Sequence, residues 1–125
     1  MNGARSLLWR WGPPVLYLGL VYGLSSVPTI PAVGIYGLDK LLHAIEYTVL
    51  GLLLSRAAGW PRSLSTRLVL IVIGVAAGAV DEWIQSHTPG RESTIGDWIA
   101  DSIGVICGVQ LASWLHRRRL SRPPA

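Results

Sequence analysis

Charge is scarce in this chain: only 14% of its 125 residues are Asp, Glu, Lys or Arg, where an ordinary globular domain has about a quarter. Half of the residues are hydrophobic and the mean hydropathy is +0.42. A chain of this length has too little polar surface to cover a water-facing sphere, so much of its exterior is expected to face lipid. A single cysteine, Cys107, excludes an internal disulfide. It lies in an apolar run, where a small buried thiol is the expected state. Neither a His-Glu-x-x-His zinc signature nor a serine or cysteine nucleophile elbow is present, which removes the two commonest motif-based hydrolase readings. Internal repeats and low-complexity tracts are also missing. The pI of about 9.8 invites nucleic acid as a partner, but the bases sit at the ends of apolar segments rather than among aromatics on one face. No nucleic-acid partner is expected.

What the chain does contain is four apolar stretches, about 7–26, 38–58, 68–84 and 95–115. A helix needs about 20 residues to cross the hydrocarbon core, so the expected fold is all-α, a single domain of four transmembrane helices. Arg10, Pro13 and Pro14 fall near the start of the first stretch, where a proline in the opening turn is tolerated. The third is the shortest and can extend through Gln85 towards His87. Pro28, Pro31, Gly34 and Gly37 mark the first link, Gly59-Trp60-Pro61 the second and Pro89-Gly90 the third. The basic, Pro-rich end, 116–125, is expected to be a disordered tail. A cleaved signal peptide is the rival for the first span, but no clear small-x-small site follows it and three further spans do, so it is expected to be retained.

Lys and Arg fix the expected orientation. Arg5, Arg10, Arg56, Arg62, Arg67, Arg117, Arg118, Arg119 and Arg122 fall on one side, and only Lys40 and Arg91 on the other. The positive-inside rule then places both termini in the cytoplasm of a multi-pass inner-membrane protein. Trp9, Trp11, Trp60 and Trp114 fall at the inner interface, Trp83 and Trp98 near the outer one, as indoles seeking the headgroup level should. The Arg117–Arg119 run reads as an anchor for anionic lipid.

With this topology all seven acids lie in the outer half: Asp39, Glu46, Asp81, Glu82, Glu92, Asp97 and Asp101. Glu46, Asp81, Glu82 and Asp101 lie within spans, where an ionisable group costs at least a few kcal/mol and normally faces a bundle interior with a partner. Spacing supports convergence. Asp39, His43, Glu46 and Tyr47 form one stripe of the second span, Asp81 and Gln85 an i, i+4 pair on the third, Asp97 and Asp101 another on the fourth. The last stripe continues through Gly104 and Gly108, and small residues at that spacing permit close helix contact in lipid. Gly19–Gly23 and Gly74–Gly78 offer similar seams. Asp39, Lys40, His43, Glu46, Tyr47, Asp81, Glu82, Gln85, Arg91, Asp97 and Asp101 are therefore the candidate pocket. Lys40 and Arg91 either pair with Asp39, Glu82 or Asp97, or contact an anionic group. Buried ion pairs that set helix register are the structural alternative.

These residues also form a set. Asp39-Lys40-x-x-His43-x-x-Glu46-Tyr47-x-x-Leu50-Gly51, then Asp81-Glu82-x-x-Gln85, Pro89-Gly90-Arg91, and Asp97 with Gly104 and Gly108, together with Ser25-Ser26-x-Pro28, resemble the VanZ-like membrane protein family over about residues 15–112. The resemblance implies the fold and the location in the cell envelope. Its founding member is associated with low-level resistance to the glycopeptide antibiotic teicoplanin, and the resemblance implies no particular reaction. One position departs: the family usually has asparagine where this chain has Asp101. An amide is neutral, whereas a carboxylate adds repulsion beside Asp97. Protonation of Asp101, or compensation by Lys40, Arg91 or a bound cation, is then required.

Three functions are compatible with this reading. The first is a non-catalytic protein holding an envelope lipid, a lipid-linked precursor or an amphiphilic antibiotic at its outer end, without a cofactor. The second is an outer-leaflet hydrolase or transferase, with His43 and Glu46, or Asp81 and Glu82, as an acid–base pair or as ligands of a divalent cation. Carboxylates suit hard cations, but spacing on separate helices does not define a coordination sphere. The third, an ion-linked transport component, ranks last because the inner halves lack acids to complete a relay.

Overall fold

The computed structural model describes residues 3–28 and 37–121. Pro31 and Gly34 of the first link, and Arg122 of the tail, lie outside them. Among the described residues there are four α-helices and no strands: α1 (Gly3–Ser25), α2 (Leu38–Ala57), α3 (Leu64–Ser86) and α4 (Ile95–Leu120). The element order and the all-α class are as expected from the apolar stretches.

Boundaries differ where local chemistry overrides hydropathy. Helix α3 begins at Leu64, ahead of the apolar run, because the Ser63 hydroxyl accepts the Thr66 N–H at 3.2 Å and caps it. Arg67 thus lies in the helix, where Nη1 donates to Gln110 Oε1 of α4 at 2.9 Å. Helix α4 runs on through Leu120, so 116–120 are helical rather than a disordered tail. Arg117, Arg118 and Arg119 occupy its last turn, where cations face the helix's negative end. Helix α1 starts at Gly3, which puts Pro13 and Pro14 in its interior instead of its first turn. Each lacks an N–H, so the carbonyls of Trp9 and Arg10 have no intrahelical donor.

Helices α2 and α4 make the closest pair. A Cβ on Gly104 would meet the Ala44 carbonyl oxygen, and one on Gly108 the Thr48 carbonyl oxygen. A Cβ on Gly51 would lie 2.7 Å from Val105 O, so the two backbones touch through three glycines. Helix α3 packs on α4 through Gly74, against Val105, and Gly78, against Asp101 and Trp98. Helix α1 touches α2 and α3 but not α4. The Gly19–Gly23 seam is not used: among the described residues, a Cβ at either position would meet nothing within 4 Å. Tyr17 and Tyr22 hold α1 instead, donating to the backbone carbonyls of Glu46 at 3.1 Å and Ala77 at 2.9 Å.

The core is narrow, with Val21, Tyr47, Leu50, Leu54, Leu70, Val105 and Val109 at its centre. Large apolar side chains cover the exterior of all four helices, among them Leu16, Leu41, Val72 and Ile103. Cys107 is exposed on this exterior, not buried as expected, because the Gly104–Gly108 face of α4 takes the interior. By length and composition α3 and α4 are apolar enough to cross a membrane. Helix α1 is diluted by Arg5, Arg10, glycine and proline, and α2 by Asp39, Lys40, His43, Glu46 and Arg56, so neither matches them.

Candidate functional site

The sequence places acids on three helices, and close backbone contact between α2 and α4 decides how near they come. Glycine at 104 and 108 lets α4 approach the very turns of α2 that carry His43 and Tyr47. His43 Nδ1 consequently lies 2.8 Å from Asp101 Oδ1. It is also 3.9 Å from Glu82 Oε1 of α3. Three helices meet at one imidazole.

The cluster has two layers. In the outer one, Lys40 Nζ bridges Asp39 Oδ2 at 3.2 Å and Asp97 Oδ1 at 3.0 Å, tying α2 to the first turn of α4. Thr94 caps that turn: its hydroxyl accepts the Asp97 N–H at 3.1 Å and donates to Asp97 Oδ2 at 2.6 Å. Asp97 thus sits at a positive helix end with a lysine beside it, which offsets much of its burial.

In the inner layer, Asp81 and Asp101 are completely buried and Tyr47 nearly so. Gln85 Nε2 donates to Asp81 Oδ2 at 3.4 Å, the i, i+4 contact expected from spacing. Glu82 Oε2 accepts from Ser93 Oγ at 2.8 Å and from the Thr94 backbone N–H at 3.0 Å, which fastens the α3–α4 link. Among the described residues, each of the three carboxylates has a second oxygen with no hydrogen-bond donor: Asp81 Oδ1, Glu82 Oε1 and Asp101 Oδ2. The buried Tyr47 hydroxyl and Ser25 lie close enough to Asp81 to act on it, though among the described residues neither makes a well-formed hydrogen bond to it. Buried polar atoms left this way cost about 1–3 kcal/mol each, more when charged. Three such carboxylate oxygens gather at one place.

Several expected pairings are different. Asp101 is matched by His43, not by Lys40 or Arg91. Arg91 forms no pair with Glu82 or Asp97; Nη2 donates to the Leu24 carbonyl at 2.8 Å and Nε to Val27 O at 3.4 Å. It satisfies carbonyls at the C-terminal end of α1, a role invisible in a spacing pattern because its partner is backbone. Glu46 joins neither His43 nor a cation directly; its side chain lines a cavity beside them. That cavity, about 300 Å³, lies between α1 and α2. Val21, Leu24 and Leu42 form its apolar wall, and His43, Glu46 and Gln85 its polar end. Ser25, Asp39 and Arg91 complete the lining. A second cavity of about 350 Å³ lies among Arg62, Arg67, His116 and Arg117, on the basic side of the chain.

Sequence reasoning missed Ser93 and Thr94 as supports of Glu82 and Asp97. The Thr94-x-x-Asp97 capping pattern ahead of an apolar run carried that signal.

Two groups of side chains have the chemistry of metal ligands: His43, Asp81 and Asp101, and His43, Glu82 and Asp97, each with one donor atom per residue within 4.8 Å of the others. His43 belongs to both, and Glu46, one possible co-ligand under the enzyme reading, to neither.

No curated protein and no solved structure gives a match to the chain. A family model does: VanZ/LLP1, over residues 8–116, which takes in α2, α3, most of α1 and α4, and every residue of the cluster. Together with two helices long and apolar enough to cross a bilayer, it points to a membrane protein. The chain belongs to the VanZ/LLP1 family.

Proposed function

We propose that all four helices cross the inner membrane, with both termini cytoplasmic, and that the acidic end holds the polar head of an amphiphile. The class of occupant is an envelope lipid, a lipid-linked precursor or an amphiphilic antibiotic. The observation that carries this reading is the composition of the cavity between α1 and α2: a wall of Val21, Leu24 and Leu42 beside a polar end of His43, Glu46 and Gln85. An apolar wall suits an acyl or prenyl chain, and convergent polar groups suit a head. Helices α1 and α2 are less apolar than α3 and α4, but their outward faces carry Leu16, Leu20, Leu41 and Ile45. Their polar residues are directed inward or lie at the ends, which is the arrangement a spanning helix requires. The basic cavity at Arg62, Arg67 and Arg117 suits the phosphate level of the inner leaflet and supports the same orientation.

A specific observation favours catalysis as a second reading. The 2.8 Å contact between Asp101 and His43 fixes the imidazole beside the cavity, as a general base would be fixed. Ion-linked transport gains no such support, since the acids stop at one end of the bundle.

Lipid mass spectrometry on protein purified in mild detergent tests the binding reading. Wild type should carry an amphiphile enriched over bulk lipid, and Leu42→Trp, which fills the cavity, should reduce it at least about tenfold, the scale of one lost pocket contact set. Equal lipid profiles in the two proteins would remove the cavity from consideration. Topology is checked in a Cys107→Ser background with a membrane-impermeant maleimide. Glu92→Cys should be labelled in intact cells and Ser121→Cys only after lysis; the reverse pattern rejects the orientation.

A further inference from the structure

The inner layer has a charge imbalance that its own side chains do not correct. Asp81, Glu82 and Asp101 face one imidazole, and among the described residues no lysine or arginine nitrogen lies within ion-pair distance of any of them. Among the described residues each carboxylate has one oxygen in a well-formed hydrogen bond and a second, buried oxygen in none, with only the Ser25 and Tyr47 hydroxyls near Asp81 and His43 Nδ1 3.9 Å from Glu82 Oε1. The bare atoms are buried, Asp81 and Asp101 with no exposed surface at all. Holding one ligand oxygen by an outer partner while leaving the other open is how proteins orient metal-binding carboxylates. Gln85 is that outer partner for Asp81, and Ser93 with the Thr94 N–H for Glu82; Asp101 is held instead by His43, whose Nδ1 a metal ion would take over from it.

We propose that His43, Asp81 and Asp101, with Glu82 and Asp97 alongside, bind one divalent first-row metal ion of the zinc or manganese kind. The inference rests on the reading above only in placing this cluster at the head end of the cavity. Two ligand atoms about 2.1 Å from a common ion stand about 3–3.4 Å apart. The distances from His43 Nδ1 to Asp101 Oδ1, 2.8 Å, and to Glu82 Oε1, 3.9 Å, bracket that value. The donor atoms of His43, Asp81 and Asp101 all lie within 4.8 Å of one another, so side-chain rotation alone, without backbone movement, brings them to a common ion. One imidazole with several carboxylates selects zinc or manganese over magnesium or calcium, which favour all-oxygen sets, and no thiolate is at hand to select copper(I). The ion takes the place of the proton that His43 and Asp101 share, and that proton is released to solvent. Gly78 keeps the site open, since a Cβ there would lie 3.1 Å from Asp101 Oδ2.

A bound ion would also supply what the cavity lacks. Lys40 is neutralised by two aspartates and Arg91 is held by α1 carbonyls, while Asp39 and Glu46 line the cavity beside it, so a phosphate-bearing head gains from a further cation there. The metal lowers the negative charge at the polar end and offers an anionic head a coordination position.

The experiment uses the full chain in detergent, stripped with EDTA and titrated with Zn²⁺ or Mn²⁺ by calorimetry, alongside elemental analysis of the unstripped protein. Wild type and His87→Ala, an exposed histidine outside the cluster, should each bind one ion. His43→Gln and Asp81→Asn should bind at least about tenfold more weakly. Failure of stripped wild type to bind either ion overturns the proposal, as does affinity unchanged in both cluster variants. Should those variants not fold, X-ray absorption on metal-loaded wild type decides: one imidazole with oxygen neighbours supports the site, while sulfur or several imidazoles refute it. Metal content is read independently of lipid, so a metal-loaded protein without amphiphile would reject only the binding reading, and the opposite result only the metal.

Discussion

Gly104→Ala and Gly108→Ala should each destabilise the protein severely, whereas Gly19→Ala and Gly23→Ala should leave it unchanged or slightly more stable. In both of the first pair the added methyl would be driven into the backbone of α2, at Ala44 and Thr48, and backbone cannot rotate aside as a side chain can. Overpacking in an ordinary core costs about 1–3 kcal/mol, and a rigid opposing wall puts these sites at or above the top of that range. At Gly19 and Gly23 a Cβ meets open space, so only helix propensity acts, in favour of alanine by up to about 1 kcal/mol. Denaturant unfolding in mixed micelles, followed by circular dichroism, measures all four. Comparable losses at Gly19 and Gly104 would mean that α1 is as tightly seated as α4. The same substitutions at 104 and 108 should also separate His43 from Asp101, because the polar contact exists only at the backbone distance that these glycines allow.

That contrast marks how far the sequence can be read. Gly19–Gly23, Gly74–Gly78 and Gly104–Gly108 are the same pattern on paper, and each permits close contact. Which of them is used depends on what stands opposite, a long-range fact that no local spacing encodes. The polar stripe of α2 was legible because period and burial coincide: His43 and Tyr47 lie one turn apart, and membrane depth leaves ionisable groups few directions to face. Partner identity was not. Lys40 found Asp97 and Asp39, as an alternative read from charge alone allowed, but Arg91 found carbonyls, which are present at every helix end and so carry no sequence signature. Hydropathy placed the ends of α3 and α4 too early or too late because caps and charged last turns extend a helix beyond its apolar run, as Ser63 and Arg117–Arg119 do here. Cys107 was misplaced for a related reason. An apolar neighbourhood looks buried, yet in a bundle with an apolar exterior the two faces of a helix differ in residue size more than in polarity.

His43→Ala, measured on protein stripped of metal, should cost about 3–5 kcal/mol, the scale for removing one member of a buried charge pair. The loss comes less from the missing imidazole than from what it leaves behind, since Asp101 Oδ1 would join Asp101 Oδ2, Asp81 Oδ1 and Glu82 Oε1 as buried oxygens without a donor. Asp101→Asn should behave differently. The amide oxygen can still accept from His43 Nδ1, and one carboxylate leaves a crowded group, so stability should fall by no more than about 1 kcal/mol or rise. The double variant, His43→Ala with Asp101→Asn, should then be more stable than His43→Ala alone. Its two effects are coupled because the residues share one contact. Unfolding free energies of the four proteins close the cycle. Strict additivity, or a His43→Ala loss below about 1 kcal/mol, would mean that the inner layer is wet and well screened rather than a charge pair enclosed by three helices. Adding Zn²⁺ to the same series separates structure from ligand. Wild type should gain stability with metal concentration, since only the folded chain assembles the site, and the variants lacking His43 should gain little.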